Sequence, residues 1–200
     1  MQKTYGTECQ FPKVIIQGHL DATFPYIQSH LEYIIGEILR NSIQATVEHD
    51  GNKSDVPPPI EVLICETTEH VIMRFSDRGG GIPLDILPYI WSFSKGPRRK
   101  LRLQNLNQVP RMAATMQELR SEVSSKSGSP YGSSLSSLTD RRPDMRLGIG
   151  LPMSKIYADY WAGSLQLHSL EGYGVDAFLQ ISKLGNKNEE ITTRAAMDAV

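Results

Sequence analysis

Glu37 and Asn41 stand four residues apart within His30–Glu48, a run in which Leu31, Ile34, Ile35, Ile38, Leu39, Ile43 and Val47 recur at three-and-four spacing. That is the period of an amphipathic helix, on which residues four apart share a face about one turn from each other. The pair lies at the edge of the apolar stripe, where a carboxylate and a carboxamide are poor choices unless something polar docks against them. A second candidate is Asp77-Arg78-Gly79-Gly80-Gly81, an acid at the end of a β-rich run followed by three glycines. Such a backbone can take positive φ and approach a ligand closely, which a plain hairpin does not need. A third is Leu147-Gly148-Ile149-Gly150-Leu151-Pro152, just before a helical pattern, where free N–H groups and the helix dipole suit phosphate oxygens. Taken singly, each has an ordinary explanation: a solvated helix face, a hairpin turn, a loop-to-helix transition. Their order along one chain carries more weight than any one of them.

These candidates need elements to position them. Lys13–Gln17 reads as a short strand, and Phe24-Pro25-Tyr26 turns the chain into the helix, with Ser29 as N-cap and Glu32 completing a capping box. Gly51-Asn52 and Pro57-Pro58-Pro59 end that helix around Glu48 to Asp50. Ile60–Glu66 and His70–Ser76 form two antiparallel strands joined at Thr67-Thr68-Glu69, and Leu84–Tyr89 a short helix. From about Ser94 to Pro143 the chain turns basic and then serine-rich, and a mobile loop is expected, with 97–143 as lid or insertion and a helical turn or two at Met112–Arg120. Met153–Trp161 is a second helix, and Ser164–His168 and Asp176–Ser182 are strands joined through Glu171–Gly174. The domain is expected over 12–184, between a polar lead-in at 1–11 and a polar tail at 185–200.

Composition excludes more than it selects. The 200 residues carry a formal charge of −1, with no basic or acidic excess to indicate nucleic acid or a membrane surface. The Lys95–Arg102 cluster lacks the interleaved aromatics of a single-strand binder. No run reaches the length of a membrane span, and Cys9 and Cys65 have no metal-ligand or disulfide-framework spacing.

With these motifs in order, the chain resembles the ATP-binding domain of the gyrase, heat-shock chaperone, histidine kinase and MutL superfamily. Within it, the chain is similar to the mitochondrial kinases of the pyruvate and branched-chain α-ketoacid dehydrogenase complexes. Glu37–Glu48 matches their N-box, Asp77–Gly81 the first glycine box and Gly148–Pro152 the second. Tyr157-Ala-x-Tyr160, Gly163–Leu167 and Glu171–Gly174 extend the match. The resemblance implies a Bergerat-type α/β sandwich with a mixed sheet covered by helices on one face, binding ATP and Mg²⁺. It implies that Asp77 accepts the adenine amino group, that Asn41 ligates the metal, and that Glu37 is the general base toward a substrate serine. The nucleotide would be held by Asn41, Asp77, Gly79, Gly81, Ser94, Lys95, Leu147, Gly148, Ile149, Gly150 and Leu151.

The implied activity is phosphorylation of the dehydrogenase component of an α-ketoacid dehydrogenase complex in the mitochondrial matrix. The complex's lipoyl-bearing transacylase core would be the scaffold, and a homodimer through the sheet is expected. Residues 1–29 could not form the family's N-terminal helical bundle, so the chain reads as the catalytic half. Departures from the pattern are Arg146 where a glycine is usual, Val175 where a threonine is usual, and Ser94 and Lys95 in place of two threonines. They keep two other readings open: a catalytically impaired nucleotide-binding regulator, and a histidine-kinase-like ATPase domain.

Overall fold

The computed structural model describes residues 11–50, 56–93, 95–108 and 148–183, with the backbone alone for 105–108. The elements in chain order are β1 (Val14–Gly18), α1 (Gln28–Asp50), β2 (Ile60–Glu66), β3 (His70–Ser76), a 3-10 turn (Leu87–Tyr89), α2 (Arg99–Gln108), α3 (Gly150–Tyr160), β4 (Ser164–Leu170) and β5 (Gly174–Ser182). One five-stranded sheet has the order β1-β2-β3-β5-β4. β1 runs parallel to β2, and the other three pairings are antiparallel, so the sheet is mixed as expected.

Alternation along the strands decides which face is covered. Val62, Phe75, Ala177 and Leu167 form one row across β2, β3, β5 and β4, and Ile64, Met73, Leu179 and Leu165 the next. Ile34 and Ile38 of α1 and Ala158 of α3 join Val62, Val71, Met73, Phe75, Leu165, Ala177, Leu179 and Ile181 in one buried core. Each such valine, leucine, isoleucine, phenylalanine or methionine side chain taken from water contributes roughly 1.5–3 kcal/mol. The row on the opposite face, Leu63, Arg74, Phe178 and Gln166, is less buried. α1 is long because its apolar stripe runs from Leu31 to Val47 without a glycine or proline after Gly36.

Several boundaries differ from the sequence expectation. Ser29 lies inside α1 rather than capping it, since the Ile27 carbonyl already accepts the N–H groups of His30 and Leu31. Glu32 accepts a hydrogen bond from Gln28 Nε2 at 2.8 Å instead of completing a capping box. The expected helix at Leu84–Tyr89 is a 3-10 turn, with Pro88 in its first positions. α3 begins at Gly150, three residues before the first apolar residue of its periodic pattern, and Pro152 is accommodated in its first turn, where it forfeits no internal hydrogen bond. The basic stretch expected to be loop holds α2, whose Arg, Lys, Leu and Gln residues are good helix formers with no glycine or proline among them. Met112–Arg120 and the tail lie outside the described residues.

α1 and α3 meet along an aromatic seam. His30 stacks on Tyr157 with ring centroids 4.3 Å apart, and Tyr33 meets the same ring edge-on at 5.5 Å. Tyr26, before α1, donates from its hydroxyl to the Tyr157 carbonyl at 3.0 Å. Burial pushes the Tyr26 hydroxyl up to about 12. Because that lies above the ordinary tyrosine value, the hydroxyl's contribution to stability is whole below about pH 10 and is lost as pH rises through about 12. Tyr26→Phe is expected to cost about 1 kcal/mol in urea unfolding at neutral pH. The substitution should also remove the phenolate absorbance step near pH 12, leaving the other tyrosines' steps unchanged.

Candidate functional site

Glu37 sits midway along α1, yet it is only 1% exposed. Its carboxylate lies directly against Gly150, the first residue of α3, so closely that a Cβ there would overlap Glu37 Oε2. Only glycine lets the two helices approach to that distance. Two features balance the buried charge. Arg40 Nε stands 3.6 Å from Glu37 Oε1, one turn along α1, and α3 presents its positive N-terminal end, where no side-chain cap is bonded. Ile149 is the N-cap of α3, and Leu151, in its first turn, is half-buried. Gly148 takes φ +70, a left-handed conformation that admits glycine without strain.

Asn41 is one turn from Glu37 but faces outward, and its carboxamide makes no hydrogen bond to any described residue. At the edge of the apolar stripe the helix therefore carries a buried acid and, one turn on, an exposed amide. Among the described residues no group of three or more His, Cys, Asp or Glu could hold a metal. A cation here would have one neutral oxygen from the protein and would need phosphate and water for the rest. That is the ligand pattern Mg²⁺ accepts and a transition metal does not favour.

The glycine elbow closes the other end of the site. Asp77 is 6% exposed, and its Oδ1 accepts two backbone hydrogen bonds, from Gly79 N at 3.0 Å and from Val175 N at 3.2 Å. Its Oδ2 accepts none from the described residues, which leaves one carboxylate oxygen of a largely buried side chain ready for a donor. Gly79 runs against α1 at Ala45 and Thr46, where a Cβ would come within 2.5 Å of Ala45 Cβ. Gly81 takes φ +75 beside the Leu170 carbonyl. Gly80 N donates to the Tyr173 carbonyl at 3.2 Å and Gly172 N to the Gly80 carbonyl at 2.8 Å, so the β4–β5 hairpin laces the elbow in place. Arg78 lies over the Tyr173 ring, 5.8 Å from its centroid.

The structure thus sets Gly150 against Glu37 and Gly79 against Ala45 and Thr46 of α1, with Asp77 and Gly81 in the same elbow as Gly79 and with Gly148, Ile149 and Leu151 at the start of α3. Lys95 is exposed, and its carbonyl accepts a hydrogen bond from Arg102 Nη1 at 3.0 Å. Ser94 and Leu147, like Arg146, lie outside the described residues. Three contributors escaped the sequence reading. Arg40 was legible, since it stands three residues after Glu37 on the same helix. The Val175 N–H was not, because it acts through the main chain: the missing threonine hydroxyl at this position leaves that contact to Asp77 intact. Arg102 was hidden in a stretch read as loop, although it reaches the second glycine loop.

Comparison with known proteins bears on what this arrangement belongs to. Residues 26–184 match the family model described as histidine kinase-, DNA gyrase B- and HSP90-like ATPase. The chain is similar to mitochondrial pyruvate dehydrogenase (acetyl-transferring) kinase 2 of Saccharomyces cerevisiae, 32% identical, with 93% of this chain and 44% of that protein covered. It is also similar to the mitochondrial pyruvate dehydrogenase kinase of Arabidopsis thaliana, 31% identical with 94% and 43% covered. Human isozyme 1 is 30% identical with 82% and 30% covered. The chain spans less than half the length of these relatives. Since the matched span runs from before α1 through the glycine elbow and α3 to the end of β5, the chain belongs to the histidine kinase-, DNA gyrase B- and HSP90-like ATPase family.

Proposed function

We propose that this chain is the ATP-binding catalytic domain of a mitochondrial protein serine kinase that phosphorylates the dehydrogenase component of an α-ketoacid dehydrogenase complex. The observation that carries the reading is the placement of two carboxylates along one helix: Glu37 at the N-terminus of α3, and Asp77 at the far end with one oxygen uncommitted. A ligand with an amine-bearing base at one end and anionic groups at the other fits that polarity. The exocyclic amine of adenine would donate to Asp77 Oδ2, while the α3 N-terminus would receive phosphate oxygens. Asn41 would supply one ligand to Mg²⁺, whose role when bound is to neutralise the phosphates for transfer.

Glu37 is the group suited to take the proton from a substrate hydroxyl as that oxygen attacks the γ-phosphorus and ADP departs. Arg40 and the end of α3 hold the carboxylate in one place and balance its charge. Phosphoryl transfer depends chiefly on positioning and electrostatics, so the base adds its factor to a geometry that the glycine loops and the metal set. These relatives are named mitochondrial pyruvate dehydrogenase kinases, which supports a pyruvate-type substrate and a mitochondrial location; the matrix as compartment and the lipoyl-bearing core as scaffold are further parts of the proposal. The partly exposed sheet row of Leu63, Arg74 and Phe178 is where a second copy would dock in a homodimer.

Asp77→Asn keeps an acceptor for Gly79 and Val175 but turns a donor toward the adenine amine. Calorimetry should show about ten-fold or greater weakening of Mg·ATP binding. Asn41→Ala should make the residual ATP affinity insensitive to magnesium. Glu37→Gln should retain ATP binding while phosphate transfer to the recombinant dehydrogenase falls about a hundred-fold or more. ATP binding without any transfer by the unsubstituted chain would favour the regulatory reading, and no ATP binding at all would overturn both.

A further inference from the structure

We infer that the Ser154 hydroxyl, in α3, is the acceptor that receives the proton-bearing oxygen of Glu37 once that carboxylate has taken a proton. Ser154 is then a positioning residue for the proposed base, and the inference rests on the kinase reading above.

The packing of two helices places it there. Gly150 meets Glu37 at one end of the α1–α3 contact, and Tyr157 meets His30 and Tyr33 at the other, so the two helices run antiparallel. Ser154 stands four residues after Gly150 and three before Tyr157, on the face that both share. Side chains of an α-helix lean toward its N-terminus, so the Ser154 side chain leans toward the turn that holds Gly150 and touches Glu37. The residue is 0% exposed, and its Oγ makes no hydrogen bond to any described residue. A helical hydroxyl commonly bonds the carbonyl four residues back, as Thr46 Oγ1 does to the Ser42 carbonyl at 2.8 Å in α1. Ser154 does not, and it bears the full cost of a hydroxyl removed from water without a partner.

The chemistry of the base gives that hydroxyl a use. In its charged form Glu37 is balanced by Arg40 and by the N-terminal end of α3, groups that only donate. As the substrate oxygen forms its bond to the γ-phosphorus, the bond to the leaving ADP oxygen breaks with its electron pair, and the substrate's proton passes to Glu37. The carboxyl then carries an O–H that neither a guanidinium nor a backbone N–H can receive. A serine hydroxyl has two lone pairs, and one left unbonded in the resting state is ready for this donor. An interaction made only as the proton arrives lowers the barrier without tightening the ground state.

Glu37→Gln supplies a test that needs no activity, because its neutral carboxamide presents an NH2 donor where the protonated oxygen would stand. Urea unfolding of the 200-residue chain, Ser154→Ala, Glu37→Gln and the double variant forms a cycle in which alanine's higher helix propensity cancels. Ser154→Ala should leave the unsubstituted chain as stable or more stable, yet destabilise Glu37→Gln, with a coupling of about five-fold in the unfolding constant. In phosphate transfer to the recombinant dehydrogenase, Ser154→Ala should lower kcat about ten-fold while the KM for ATP and Mg·ATP affinity stay within about two-fold. Ser154→Cys, whose sulfur is a weak acceptor, should give an intermediate rate. Equal effects of Ser154→Ala on stability in both backgrounds would overturn the inference, as would an unchanged kcat. Loss of stability and of ATP binding together in Ser154→Ala alone would make the residue merely structural and overturn it too. Coupling in the cycle without any transfer by the unsubstituted chain would uphold the pairing and count against the kinase reading alone.

Discussion

A carboxylate almost wholly removed from water must be compensated, and in this chain the compensation fixes how the two main helices meet. Glu37 lies at the interface between α1 and α3 with 1% exposure, against the Cα of Gly150. Uncompensated burial of such a charge costs several kcal/mol, far more than a surface ion pair returns. The structure meets that cost with the positive end of α3 and with Arg40. Position 150 must then be glycine, since any side chain there would overlap the Glu37 carboxylate. The aromatic seam of His30, Tyr33 and Tyr157 continues the interface along the helices' shared length.

The sheet sets the other end. β3 runs straight into Asp77, and the Val175 main chain of β5 holds its carboxylate from the neighbouring strand. Gly79 then touches α1 at Ala45, eight residues beyond Glu37 and so about 12 Å along the helix axis. One helix thereby touches both glycine loops, with Glu37 against Gly150 and with Ala45 against Gly79, next to Asp77. The polarity of the proposed nucleotide site follows from this spacing: an acceptor for a base amine at the elbow, N–H groups and cations for phosphates at the start of α3.

Much of this was legible in the sequence, for reasons that differ by element. The three-and-four apolar spacing of Leu31 to Val47 and the alternation in Ile60–Glu66 and His70–Ser76 each repeat the geometry they build, so α1, β2 and β3 appear within two residues of the expected bounds. Asp77 and its glycines were legible because positive φ at Gly80 and Gly81 is a demand that only a few residue types satisfy cheaply. Ser29 failed as a cap because a backbone carbonyl, Ile27, fills the role, and sequence carries no mark of that. α3 began earlier than its apolar pattern because its first turn is fixed by contact with Glu37 and not by hydrophobic periodicity. α2 was missed because its cations suggest solvated loop, and the tertiary contact between Arg102 and Gly148 joins positions 46 residues apart, which no local pattern encodes.

The most direct test of the central claim is an amide-resolved NMR titration of the isotope-labelled chain with Mg·ATP. If the nucleotide lies along α1 between the two glycine loops, the resonances of Gly79, Gly80 and Gly81 and of Gly148, Ile149 and Gly150 should shift together with one apparent affinity. Those of Leu63, Arg74 and Phe178 on the opposite face of the sheet should stay in place. Shifts confined to the sheet face, or to one glycine loop without the other, would contradict a single site spanning Asp77 and Glu37.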